Sequence, residues 1–346
     1  MKWDTDITRL LGSEYPILEG ALTGLGTKNG DFAAAVSETG AVGCLTAHSY
    51  RGPDALRQAI QKLRQTTAKP FMVNLTIGIA RDIDDLLTVC IEEKVPCIET
   101  SAYRPDAYAA RIKDSGITWI HKVATVENLR HVEKLGVDAV VLVGLDGYGF
   151  KSIRQLPTFT AIAYAAQQTT VPLIAAGGIG NGRTMLAALM AGAEAVYIGS
   201  AFMATKECPI SDRIKQNMIL ARPDHPGLIQ ELIAPPDDKA YLEVMAKRDK
   251  MPLNHWLINL EMVMLKHQKE KVEDIEGRSE EDVIMAQSAA SPADDRPKGP
   301  FSFACGYVDS EPSVAEFVQG MVGQAEKIMR EKVERWRLGR NETEKD

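Results

Sequence analysis

Two glycine turns carry the clearest chemical signal in this chain. Val171 to Ala175 is a short apolar run that stops at Ala176-Gly177-Gly178, after which Asn181 and Thr184 open a helical stretch rich in Ala, Leu and Met. Ala195 to Ile198 repeats the pattern and stops at Gly199-Ser200. Glycine has no Cβ, so bare backbone N–H groups at both turns can close on an anion. In (β/α)8 barrels the loops after strands 7 and 8 commonly hold phosphate groups. A parallel sheet also needs glycine simply to turn tightly, and of the two readings the ligand is the stronger.

Other residues could complete such a site. The loop Glu19-Gly20-Ala21-Leu22-Thr23-Gly24-Leu25-Gly26 follows a strand directly, and its glycines let backbone lie flat against a planar ligand or simply make the connection flexible. Asn74 interrupts the apolar run PFMVNLTI, where a buried amide needs partners. The edge of a heteroaromatic ring would supply them, as would backbone across a barrel. Lys122 ends TWIHK, where a cation can neutralise a phosphate or an electron-rich reduced flavin, although lysines at strand ends are usually just solvated. For proton handling the strand-end loops offer His48, Tyr103, Tyr148 and Lys151, with Tyr307 near the last helix. Tyr148 and Lys151 are the preferred pair; for His48 a surface-loop role is the stronger reading and a catalytic one the weaker.

These residues need elements to position them. From residue 15 to 204 short apolar runs alternate with amphipathic segments, the pattern of repeated βα units. Eight strands are predicted: Pro16–Glu19, Ala41–Thr46, Phe71–Thr76, Cys97–Thr100, Thr118–Lys122, Ala139–Val143, Pro172–Ala175 and Ala195–Ile198. Helices are predicted over Asp54–Gln65, Ile83–Glu93, Pro105–Asp114 and Val126–Leu135. Eight strands with crossovers favour a closed α/β barrel of the TIM (β/α)8 type over an open sheet, with the loops after the strands sharing one face. Beyond residue 207 the alternation stops. Ser211–Ala221, Gly227–Ile233, Lys239–Arg248 and Trp256–Glu270 read as helices of an appended smaller helical domain. The expected organisation is therefore a barrel core over 1–206, a helical cap over 207–300, a segment and helix returning to the barrel over 301–335, and a charged tail over 336–346.

Composition narrows the function. The chain has 346 residues, a net charge of -7 and no basic run with interleaved aromatics, so nucleic acid is an unsuited partner. Five scattered cysteines form no CxxC, which predicts buried thiols and no metal site. No run reaches the length of a membrane span and the N-terminus has no signal-peptide pattern, so a cytoplasmic protein acting on a small molecule is expected. Amphipathic helices in the cap can supply a homo-oligomer interface.

Taken together, ILEGALTGLGT, KPFMVNLTI, ETSAYRPDAYAARIKDSGITWIHKVATVENLRHVEKLGVDAVV, AAGGIGNGRTMLAALMAGAEAVYIGSAFMATKE and FACGYVDSEPSVAEFV resemble the nitronate monooxygenase superfamily over roughly residues 7 to 335. That group includes 2-nitropropane dioxygenase-like proteins, NADH:quinone reductases and flavin-dependent enoyl-acyl-carrier-protein reductases; ETSAYRP and WIHKV look most like the quinone reductases. The resemblance implies FMN in a TIM barrel with a helical substrate domain. Gly20, Ala21, Leu22 and Thr23 would line the ring through backbone, Asn74 and Lys122 would contact the ring or ribityl chain, and Gly177, Gly178, Gly199 and Ser200 would hold the phosphate.

The chain also departs from that pattern. Much of the family carries a histidine in the loop after strand 6, as GGH or AGH. This chain reads VVLVGLDGYGFKSIRQLP, with Phe150 at the matching position, Lys151 one residue on, and no histidine between 132 and 224. Without that group a neutral nitroalkane lacks its obvious base, whereas a preformed nitronate or a hydride transfer demands less. Val143 or Gly144 replaces an acidic residue, for which Asp146 is the nearest substitute or else a cap for the loop. Glu19 and Ala21 stand where the family often has Gln and Pro. The expected activity is an NAD(P)H-dependent FMN reductase of a quinone, enone or enoyl thioester. A nitronate monooxygenase using oxygen, and a flavin-binding protein that has lost catalysis, are the alternatives. No GxGxxG follows a strand, so NADH or NADPH would share the open face of the flavin.

Overall fold

Each of the eight apolar runs forms a strand in the computed structural model: β1 (Ile17–Glu19), β2 (Gly43–Thr46), β3 (Phe71–Ile77), β4 (Cys97–Ala102), β5 (Thr118–Val123), β6 (Ala139–Val143), β7 (Leu173–Ala176) and β8 (Ala195–Ile198). The structure describes residues 2–22, 25–78, 80, 82–149, 152, 154–225 and 301–341, with residue 228 and short stretches between 243 and 263. All seven neighbouring pairs run parallel in the order β1-β8-β7-β6-β5-β4-β3-β2. A parallel bridge between Leu18 and Val42 closes the ring, with Glu19 donating to the Val42 carbonyl at 2.8 Å and Val42 to the Ile17 carbonyl at 2.9 Å. The protein is a TIM barrel.

Strands buried on both faces must be apolar on both faces, which is why they read as continuous runs rather than alternations. Inward residues such as Leu18, Val42, Met72, Ile120, Val141 and Ile174 form one cluster, and Ile7 of α1 (Asp6–Leu11) joins it. Outward residues such as Val73, Ile98, Trp119 and Leu142 form a second cluster with the surrounding helices. Those helices are α2 (Asn29–Glu38), α3 (Pro53–Thr66), α4 (Ile83–Glu92), α5 (Asp106–Ser115), α6 (Val126–Leu135), α7 (Thr158–Ala165) and α8 (Gly182–Met190).

The helix after the first glycine turn starts as its sequence dictates. Asn181 accepts from the Thr184 amide at 2.9 Å, and the Thr184 hydroxyl accepts from the Asn181 amide at 3.2 Å, a reciprocal cap. Short α9 (Ser200–Met203) follows β8, and α10 (Asp212–Leu220) falls within the helix predicted over Ser211–Ala221. The helices predicted over Gly227–Ile233, Lys239–Arg248 and Trp256–Glu270 lie largely outside the described residues. Phe301 is fully buried. The C-terminal helix, Val314–Asn341, packs on α8 and α2.

Candidate active site

The glycine turns occupy neighbouring strand ends, because Ala176 pairs with Tyr197. Gly177 and Gly178 have φ of 101° and 69°, a region that L side chains rarely adopt. A Cβ on Gly178 would stand 2.8 Å from the Cβ of Asp146, so the loop after β6 rests on this turn. Gly199 is different: its φ is -96°, and a Cβ there would meet only Leu22, at 3.6 Å. Among the described residues the amides of Gly177, Gly178 and Gly199 donate to no partner within the chain. The Ser200 hydroxyl accepts from the Ser302 amide at 2.8 Å and keeps its own proton to donate. Bare, half-buried amides beside a hydroxyl donor, with the Asp146 carboxylate turned away onto the Thr158 amide at 2.6 Å, suit a phosphate monoester.

Deeper in the mouth lies a closed polar network centred on Glu99, which has no solvent exposure. Its carboxylate accepts from Asn74 Nδ2 at 2.7 Å and from the Tyr197 hydroxyl at 3.1 Å, and it pairs with Lys122 Nζ at 3.5 Å. Asn74 also donates to Ser101 at 3.0 Å and accepts from Thr76 at 2.7 Å. Both N–H bonds of Asn74 are therefore spent on side chains. In the structure these partners are side chains rather than backbone across the barrel, and Asn74 helps to hold Glu99. Lys122 donates to the Tyr197 hydroxyl at 3.0 Å and lies over that ring, 4.7 Å from its centre. Its side chain keeps 22% exposure, so the ammonium faces the mouth while its counter-ion stays beneath it. Burial, with Glu99 adjacent, pushes the Tyr197 hydroxyl well above its ordinary range, which keeps it a donor.

The loop after β1 is brought over this network. Gly20 donates to the Ile198 carbonyl at 2.7 Å and Ala21 to the Tyr197 hydroxyl at 2.6 Å, and a Cβ on Gly20 would press 3.0 Å from Gly199 Cα. Leu22 is buried, and Thr23 lies outside the described residues. As the chain swings toward β8 it leaves the edge of β2 unpaired, and two buried side chains take the place of strand. Glu19 accepts from the Cys44 amide at 2.9 Å, while Asn29 accepts from the Thr46 amide at 2.7 Å and donates to the Cys44 carbonyl at 3.4 Å.

Burial drives the Glu19 carboxyl well above its usual range, against the pull of the Cys44 N–H. The folded chain thus holds a neutral acid at a pH where the unfolded chain holds a carboxylate. This group costs stability as pH rises above the ordinary carboxyl range, and costs nothing below it. Glu19→Gln is expected to raise the urea midpoint at pH 8, and to raise it less at pH 5. A variant no more stable than the parent at pH 8 would mean that the carboxyl is ionised in place.

Tyr148 is exposed, while Lys151 and the histidine-replacing Phe150 lie outside the described residues. Asp146 caps rather than substitutes: besides the Thr158 amide, it binds the Phe303 amide through its own carbonyl at 3.2 Å. The Tyr103 ring lies against Gly78, where a Cβ would come within 2.4 Å of it. Tyr307 is exposed, with its ring beside Gly180. His48 stands in the turn after β2, and both of its ring nitrogens are buried without a partner. Burial, and then the charge of Lys122, lower its pKa to about 4, so the imidazole is neutral at pH 7 and a weak base.

A family model described as nitronate monooxygenase matches residues 4–323. A (3aS,4S,5R,7aS)-5-hydroxy-7a-methyl-1-oxo-octahydro-1H-indene-4-carboxyl-CoA dehydrogenase from Mycobacterium tuberculosis is 30% identical over 223 residues, 64% of this chain and 61% of that protein. The chain therefore spans less than two thirds of that relative's length. A probable nitronate monooxygenase from Staphylococcus aureus is 27% identical over 62% of this chain and 71% of its own. Among solved structures, FabK from Thermotoga maritima superposes with a TM-score of 0.72 at 28% identity, covering 96% of this chain and 99% of that one.

Proposed function

The chain belongs to the nitronate monooxygenase family, and we propose that within this family of flavin-dependent oxidoreductases it is an FMN enzyme reduced by NADH or NADPH. Its acceptor would be a quinone, an enone or an enoyl thioester. One observation carries the cofactor assignment: two unpaired glycine turns side by side at the ends of β7 and β8, with the largely buried Lys122 side chain, 22% exposed, on β5 of the same barrel. In this reading Gly177, Gly178, Gly199 and Ser200 bind the phosphate, and the backbone of Gly20, Ala21, Leu22 and Thr23 supports the ring. The flavin, when bound, supplies hydride transfer between nicotinamide and acceptor.

The chain's own residues supply the rest. Lys122, held by Glu99 and Tyr197, would supply a positive charge to stabilise the negative charge of a reduced ring. Segment 207–300 would shape the acceptor pocket. The weak basicity of His48 argues against deprotonation of a neutral nitroalkane by that residue, and leaves Tyr148 and Lys151 as the proposed proton donors to a developing enolate. Similarity to FabK and to a CoA-thioester dehydrogenase supports a thioester acceptor.

Anaerobic mixing of the flavin-loaded protein with NADH and with NADPH checks the assignment: loss of flavin absorbance within seconds is expected with at least one donor, and a flavin that stays oxidised with both defeats it. The family match itself favours a second reading, oxidation of alkyl nitronates by oxygen. Oxygen uptake with ethyl nitronate, in the absence of nicotinamide, separates the two. Turnover with any acceptor would exclude a catalytically inert flavin-binding protein.

A further inference from the structure

Seven buried side-chain nitrogen or oxygen atoms lack a hydrogen-bond partner among the described residues, and five of them belong to Glu19, Thr46, His48 and Ser49. These residues occupy the C-terminal ends of β1 and β2 and the turn that follows β2. The contrast with the next strands is sharp, since Asn74, Glu99, Ser101 and Tyr197 satisfy one another. Thr46 is fully buried. It lies two and four residues beyond Cys44 and Val42, both members of the inner cluster, so strand alternation turns its hydroxyl into the barrel mouth. Buried polar groups without partners cost folding free energy, and a run of them on one short segment points to a molecule that completes them.

We propose that Thr46, His48 and Ser49 form the recognition surface for the imide edge of the flavin ring, its N–H and flanking carbonyl oxygens. This deepens the FMN reading above and rests on it. The match is one of hydrogen-bonding type. Two hydroxyls can each donate or accept, and a neutral imidazole offers one donor and one acceptor, which answers an acceptor–donor–acceptor edge. The set carries no charge, so the phosphate is left to the glycine turns two and three strands away around the barrel. Thr46 would meet a bound ring from below, through a hydroxyl that has no partner in the chain.

The test titrates flavin-free protein with FMN and with 3-methyl-FMN, following fluorescence quenching, and records thermal melts without flavin. Thr46→Val should melt at or above the parent temperature, because the lost hydroxyl has no partner in the chain, yet bind FMN about tenfold more weakly. Thr46→Ser should restore affinity to within about threefold. The parent should favour FMN over 3-methyl-FMN by about tenfold, and His48→Phe should shrink that preference. Thr46→Val and His48→Phe proteins that bind FMN like the parent, with the same preference, would overturn the inference and leave the FMN reading standing. A parent protein that binds no FMN would overturn both.

Discussion

Replacing Glu99 with alanine is expected to destabilise the barrel by about 3 kcal/mol and to weaken flavin binding in the same variant. The carboxylate accepts from Asn74 and Tyr197 and faces Lys122, all within 3.5 Å, at a position with no exposure. Its loss leaves the Lys122 ammonium without a counter-charge and Asn74 with an unused N–H. Breaking a buried pair from one side typically costs about 3–5 kcal/mol. The 22% exposure of Lys122 lets water recover part of this and sets the expectation at the lower end. The cause can be isolated by adding Lys122→Met, which removes the stranded charge, so the double variant should be more stable than the sum of the single losses predicts by about 1 kcal/mol or more. Urea unfolding of the four proteins gives the cycle. A Glu99→Ala cost below about 1 kcal/mol would mean that water already solvates the pair.

Glu99 also shows what could and could not be read from the sequence. The barrel was legible because strands buried on both faces are largely apolar runs, and all eight were found with boundaries close to those observed. The helix start at Asn181 was legible because a reciprocal cap is a local matter. Asn74 stood out as a polar residue inside such a run. The same test applied to CIETSA marks Glu99 as its one charged residue, beside Thr100 and Ser101, and applied to AVYI leaves Tyr197 as the residue with a polar group. What that test cannot give is the partner, because Asn74, Glu99, Lys122 and Tyr197 lie on four different strands and meet only through the register of the closed barrel. The side-chain seam of Glu19 and Asn29 was hidden for the same reason. It exists only because β1 leaves β2 for β8, a choice expressed in no local pattern. His48 reads as an ordinary loop histidine until burial and missing partners are seen together.

The largest effect expected on cofactor binding comes from a single methyl group. Gly199→Ala should leave the flavin-free protein folded with an essentially unchanged melting temperature, and should weaken FMN binding by about 100-fold, near 2.7 kcal/mol. The first half follows from the geometry. The backbone at Gly199 is in a region open to any residue, and an added Cβ meets only a flexible leucine methyl at ordinary contact distance. The second half follows from the role assigned to that turn, since a methyl over a bare amide fills the space a phosphate oxygen would take. Gly178→Ala is the contrasting case. It imposes a positive φ on alanine and a 2.8 Å approach to Asp146, so it should cost stability as well as affinity, and cannot by itself tell a binding defect from a folding one. Gly20→Ala is similarly confounded, because its Cβ presses on backbone. Calorimetry of flavin-free protein beside an FMN titration separates the two effects. A Gly199→Ala protein that binds FMN as tightly as its parent would remove the phosphate from the β8 turn, and with it the observation on which the cofactor assignment stands.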